Sequence, residues 1–469
     1  MISSKTTGQV RHGHAFASER AVAPQATSAL IIVLFMAALL PPAYFNIGGT
    51  YLSLSRVFLL FSIVPLLIRL LSGQAGRLMA TDYLMMAYCC WIAITYTYHY
   101  GTARIALSGI TIIEQLGAYL LGRVLIRNVT DYTIFIRTFF IALLVLSPFA
   151  LFELFTGRNL WAALFDVILS VYSKPGSAYG RMGLERVMSG FEHPILYGLF
   201  CSLGMANFFY VYQPKIFKAV AMMVFAAGMT FMSLSSAPLM AVTSQTLMIT
   251  WDKATKGRWV LLVVLAVFGY VTIDVLSNRT PVTIILSTLT FNPLSAWVRV
   301  SIWDYGSAAV LANPIMGIGL GDWPRPFWLT SSVDNFWLLI GMRHGIPAIA
   351  LLLGAIVCHL VAILRTKHLS PTVARYRTGY VLALLCLYFT LCTVHIWGGM
   401  SSFTFFYIGA GLWFAGTSDR VAESVPDPDA SYQNTALPGM ATRSAWQGRP
   451  AALPQSRFPN AHKRGYPEE

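Results

Sequence analysis

Residues 251–279 read WDKATKGRWVLLVVLAVFGYVTIDVLSNR. Three cations, Lys253, Lys256 and Arg258, crowd the front of this stretch. Nineteen residues with a single charge, Asp274, follow at 259–277, and Arg279 lies just beyond. A helix rises about 1.5 Å per residue, so about 20 such residues cross a hydrocarbon core about 30 Å thick. The stretch predicts a membrane-spanning helix with its basic end on the cytoplasmic side.

The pattern repeats. Apolar runs fall at about 28–45, 52–71, 82–100, 105–121, 132–156, 194–212, 216–233, 237–251, 259–277, 334–363, 378–396 and 402–416. Only 11% of the 469 residues are charged and mean hydropathy is +0.62. A soluble domain carries about twice that share of charge. In lipid every backbone amide must be paired internally, which leaves helices or a closed barrel. Runs of about 20 residues, rather than about 10 in strict alternation, select helices.

Charge in the short connections then orients the chain. One side receives Arg69 and Arg77, Arg123 and Arg127, Lys215 and Lys218, then Lys253, Lys256 and Arg258, and finally Arg365, Lys367, Arg375 and Arg377. The other receives the near-neutral turns NIGGTY, YHYGTAR, SLSSA and WGGMSS. The expected fold is an all-α polytopic integral membrane protein of about 12 transmembrane helices. Residues 1–27 form a cytoplasmic tail, 28–416 the transmembrane domain, and 417–469, rich in Pro, Ala, Ser, Arg and Asp, a disordered cytoplasmic tail. The net charge of +14 is absorbed largely by these loops and tails, and no basic stretch is interleaved with stacking aromatics, so nucleic acid is not an expected partner. Six cysteines, all within apolar runs, support neither disulfides nor zinc. No signal-peptide cleavage site follows the first run.

Two long loops, 157–193 and 278–333, fall on the outer side, where short interfacial helices are expected. They hold Arg158, Lys174, Arg181, Arg186, Arg279, Arg299 and Arg325. Topology does not require these cations, so an anionic ligand is the first expectation. Arg299 and Trp303 stand i,i+4: an interfacial cation–π pair is one reading, a guanidinium aimed at phosphate oxygens the other. Gly317, Gly319 and Gly321 follow no strand and read as a tight re-entrant or capping loop rather than a dinucleotide site. Asp334 and Asn335 open the tenth span, where such residues also serve as caps. Arg181, Arg186, Glu185, Glu192 and His193 precede the sixth span as either a solvated face or a basic rim with a titratable histidine. No metal-spaced cluster or D-x-D occurs. Glu114, Glu153 and Asp274 lie in or near spans, where each should face protein or water, Glu114 most naturally through a bond to another span.

Taken in order, YLLGR (Tyr119–Arg123), R-M-G…G-F-E-H-P (Arg181–Pro194), R-x-x-x-W-D (Arg299–Asp304), N-P-x-x-G-x-G (Asn313–Gly319) and V-D-N-x-W-L with Gly345 beyond it resemble the O-antigen ligase and Wzy-type polymerase superfamily of bacterial envelopes. The resemblance spans about 119 to 365. It implies a metal-independent glycosyltransferase of the GT-C type in the bacterial inner membrane, without cofactors. Such enzymes take a glycan from undecaprenyl pyrophosphate at the periplasmic face. It further implies that Arg299, with Arg181 or Arg186, stabilises the leaving pyrophosphate, since each well-placed donor contributes about 3 kcal/mol. Trp303, Asp304, Gly317, Gly319, Asn335, Arg325 and His344 are the expected substrate-binding residues.

Two departures bear on the reaction. Asp334 stands where ligases carry His, and Ser235-Ser236-Ala237 replaces the family's S-R-G. The first favours a polymerase of lipid-linked repeat units over a ligase. It also makes Asp334 the candidate base, with His193 or His344 as fallbacks. The rivals are an O-antigen ligase acting on lipid A core or protein and, from another class, a transporter of lipid-linked glycans. The expected partners are the lipid bilayer and the undecaprenyl-pyrophosphate-linked oligosaccharide; the resemblance leaves room for a chain-length regulator or export complex.

Overall fold

Each apolar stretch drawn from the sequence falls on a helix in the computed structural model, which describes residues 27–47, 50–167, 169–171, 180–277 and 293–416. The helices are α1 Thr27–Leu39, α2 Leu54–Leu71, α3 Ala80–Tyr100, α4 Ile105–Ile112, α5 Ala118–Leu125, α6 Val129–Thr156, α7 Leu160–Asp166 and α8 Pro194–Tyr212. They continue as α9 Ile216–Phe231, α10 Ser236–Thr255, α11 Trp259–Leu276, α12 Pro293–Ala312, α13 Phe336–Arg365, α14 Pro371–Leu391 and α15 Gly398–Gly411. A π turn, Ile113–Gly117, joins α4 to α5. Against the 12 or so spans expected, six stretches among the described residues are long and apolar enough to cross a bilayer: α2, Ala80–Leu125, α6, α8, α11 and α13; α1 and α9 are apolar but shorter. The expected terminal tails, Lys174 and Arg279 lie outside the described residues.

The structure corrects the sequence reading at several points. The first run stops being helical at Leu39 because Pro41 and Pro42 cannot continue the amide ladder. It turns instead into β1 (Ala43–Ile47), which pairs antiparallel with β2 (Thr50–Ser53) and with β3 (Ser170–Val171) from the first long loop. The helix expected to be short around Arg299 is α12, 20 residues long. Arg123, read as a loop cation, is buried: its Nε donates to Asp82 Oδ1 at 3.2 Å and its Nη1 and Nη2 to the carbonyls of Ala75 and Arg77. Tyr119 completes that knot by donating to the same carboxylate.

The outward faces are apolar, with Phe61, Phe155, Phe217 and Leu276 all exposed, while the interior holds paired polar groups. Asn207 of α8 accepts from Tyr132 of α6 at 2.6 Å and donates to Tyr407 of α15 at 2.8 Å. Tyr407 and Tyr380 of α14 each donate to the other's carbonyl, and His359 of α13 bonds the Tyr380 hydroxyl at 2.9 Å. Each such inter-helix bond contributes about 1 kcal/mol in lipid. Glycine lets α5 and α15 touch backbone to backbone: a Cβ at Gly122 would fall on the Phe406 carbonyl, and one at Gly409 on the Tyr119 carbonyl. A separate small core, with Ile302, Ala309 and Val310 of α12 against Leu338 and Met342 of α13, fixes the helix that carries Arg299.

Candidate anion and sugar site

The segment Gly180–His193 is held at both ends by its backbone. Arg181 and Leu184 exchange N–H···O bonds around a tight turn. Glu185 N–H donates to the Leu154 carbonyl, and Glu153 of α6 accepts from Met188 and Ser189 N–H at 3.2 and 2.9 Å. Glu153 thus faces protein. The arginines then reach the turn between α9 and α10: Arg181 Nη1 donates to Leu234 O at 2.9 Å, and Arg186 donates to Ser233 O and to Ser235 Oγ at 2.7 Å. Arg186 therefore meets the serine turn where the resembled family carries an arginine of its own. His193 caps α8, with Nδ1 accepting from Ile195 N–H.

On the opposing wall, Arg299 of α12 is half-buried and its Nε, shielded from solvent, makes no hydrogen bond among the described residues. Burial pulls its proton affinity below the ordinary guanidinium value; the Asp334 carboxylate opposes this and the like charge of Arg181 adds to it. Arg299, Asp334 and Arg181 thus share one electrostatic neighbourhood although they come from three separate segments. Asp334 accepts from Ser332 Oγ at 3.2 Å. Asn335 is the α13 cap, accepting from Leu338 N–H at 3.0 Å while its amide donates to Cys392 O at 2.8 Å.

A strip of rings links the two walls. Phe336 stacks on His395 (centroids 6.3 Å), His395 on Trp397 (5.7 Å), and Trp397 faces His193 at 6.0 Å. Phe336 N–H donates to Val394 O at 3.1 Å, fixing the register of the strip to α13. The His395 Nδ1, buried in the strip, has no hydrogen-bond partner among the described residues. Beside Trp397, the Glu192 carboxylate lies against the α-carbon of Gly398, where Oε2 would be 3.0 Å from a Cβ. Burial raises Glu192 to about 7 and nearby Glu114 adds to the rise, while the Gly399 N–H and Arg56 oppose it. Glu114 itself is paired: Arg56 Nε donates to its Oε1 at 2.7 Å, the expected bond to another span.

Other expected site residues lie elsewhere. Arg325 clamps its own loop, bonding Asp322, Trp323 O and Leu329 O and covering the Trp323 ring. Gly317 and Gly319 pack under the break in α13, where Ile318 and Gly319 N–H donate to the carbonyls of Met342 and Arg343. His344 is buried between α3 and α13, bonded through Nδ1 to Thr95 Oγ1 at 2.7 Å. Trp303 is 54% exposed, Asp304 is exposed, and no cation–π contact joins Trp303 to Arg299 among the described residues. Asp274 is exposed near the end of α11. Sequence reasoning missed His395 and Arg343, which it counted as parts of spans, and Trp397, which opens a neutral turn. An aromatic pair in a turn between apolar runs was the available signal.

Among the described residues, no group of three or more His, Cys, Asp or Glu is placed to hold a metal ion. Compared with known proteins, the chain matches no protein-family model and no curated protein.

Proposed function

We propose that this chain polymerises polyprenyl-pyrophosphate-linked oligosaccharide repeat units at the outer face of a bacterial inner membrane, crossing it twelve times with both termini inside. The observation that carries the reading is the shielded Arg299 Nε, without a partner among the described residues and under the influence of Asp334 and Arg181, together with the ring strip from Phe336 to His193. Cations beside a carboxylate suit displacement of a phosphate leaving group, and aromatic faces suit sugar rings.

In this reading the acceptor hydroxyl oxygen attacks the anomeric carbon of the donor glycan. The bond from that carbon to the pyrophosphate oxygen breaks, and the electron pair leaves with the pyrophosphate. Arg299 and Arg181 stabilise the charge that grows there, and Asp334 takes the hydroxyl proton. Arg186 holds the serine turn behind Arg181, and the glycan is transferred without a bound cofactor or metal.

The test uses full-length protein in liposomes with a synthetic polyprenyl-pyrophosphate oligosaccharide and EDTA, with products resolved by size. A ladder made by the wild type and lost in Arg299→Ala is expected. No ladder with intact donor would overturn polymerisation, and one product on an added foreign acceptor would identify a ligase.

A further inference from the structure

Arg343 stands inside α13, an apolar helix of 30 residues long enough to cross a bilayer. A charge in such a helix is costly unless it meets a partner or water, and its presence marks a ligand path. The Arg343 side chain is half-buried and takes part in none of the ion pairs or side-chain hydrogen bonds among the described residues. Among the described residues no ion pair gives it a carboxylate, and its charge is felt by His395, His344 and Tyr96.

Its backbone, by contrast, is fixed. Gly345 breaks the helix two residues later with φ 77°, Ile346 N–H donates to Pro314 O at 2.7 Å, and the Arg343 carbonyl accepts from Gly319 N–H at 3.1 Å. His99 of α3 braces the same loop through Met316 O at 3.1 Å. A guanidinium on a fixed backbone, with no acceptor among the described residues, is available to an external anion. It lies about two helical turns from the Asn335 cap, on the helix whose Leu338 and Met342 pack against α12, the carrier of Arg299.

We propose that Arg343 is a second phosphate-binding group, which holds the pyrophosphate of the acceptor lipid while Arg299 and Arg181 hold that of the donor. The assignment of donor and acceptor rests on the polymerase reading; the existence of a second anion site does not. A chain-growing enzyme of this kind must seat two lipid pyrophosphates at once, and the helices that carry Arg299 and Arg343 pack against each other.

The test uses full-length protein in nanodiscs, first with polyprenyl pyrophosphate lacking a glycan. The wild type should bind two equivalents and Arg343→Gln one, with Arg343→Lys recovering the second at lower affinity. In turnover with a short lipid-linked acceptor varied at saturating donor, Arg343→Gln should raise the acceptor KM at least tenfold and leave donor KM and kcat within twofold. A folded Arg343→Gln that binds two equivalents, or that loses kcat with an unchanged acceptor KM, overturns the proposal. Inorganic pyrophosphate displacing the second equivalent as readily as the lipid does would overturn the lipid assignment. Two equivalents in the wild type and one in Arg343→Gln, but no ladder from either, would sink the polymerase reading and leave the site standing.

Discussion

Gly345 and Ile315 are in backbone contact: the space a Cβ on Gly345 would fill is occupied by the Ile315 carbonyl oxygen. With φ at 77°, Gly345 also adopts a conformation that other residues resist. Gly345→Ala is therefore expected to lose about 1–3 kcal/mol from backbone strain, plus the displacement of loop 314–319. Thermal unfolding in detergent would check it; an unshifted midpoint would mean the break in α13 is not rigid.

Arg299→Gln should lower glycan transfer about 100- to 1,000-fold, the range for removing one donor from a developing anion. The protein should still insert and migrate as the wild type by size exclusion. Transfer at the wild-type rate in this variant would remove Arg299 from the reaction.

Asp334 and Asn335 are adjacent and should separate cleanly. Asp334→Asn removes the proposed proton acceptor and should cut kcat about 100-fold or more with little change in melting. Asn335→Ala removes the α13 cap and should cost about 1 kcal/mol of stability. Reversed phenotypes would exchange their roles.

The Arg325 guanidinium is already bonded within its own loop. Arg325→Ala should speed proteolytic cleavage between 322 and 329 while changing acceptor KM less than threefold, below about 0.7 kcal/mol. A large KM effect would restore it as a substrate contact.

Glu192 gives a pH signature. Its folded value is raised from 4.5 to about 7, so the native state holds a proton that the unfolded chain releases between those limits. Its contribution is complete below about 4.5 and is lost as pH rises through 7. The groups around it, Arg56, Glu114 and the Gly399 N–H, remain in Glu192→Gln. The margin of that variant over the wild type should grow by about 2–3 kcal/mol between pH 5 and pH 8. Comparing variant with wild type at each pH isolates the carboxyl from every other titrating group.

The helices were legible because lipid sets the length of each apolar run, and that constraint is local. β1–β3 was not, since its strands are two to five residues long and one pairing spans more than 100 positions. For the site, surplus arginines flagged the right loops, but whether each is free or bonded depends on partners. The Arg325 partner, Asp322, is three residues away and could have been read; that of Arg123, Asp82, is 41 away and could not. Arg343 was hidden by the hydropathy of its neighbours. The ring strip joins residues 193, 336, 395 and 397, a juxtaposition no short window contains.

α11 has no buried residue within the described chain, whereas nearly every side chain of α8 is enclosed. Two helices of similar length therefore answer to different judges. Exchange among Val, Leu, Ile and Phe in α11 is constrained by solubility in hydrocarbon alone, so drift there should be fast and silent. The same exchanges in α8 meet neighbours on every side, and tolerance to them should be correspondingly small.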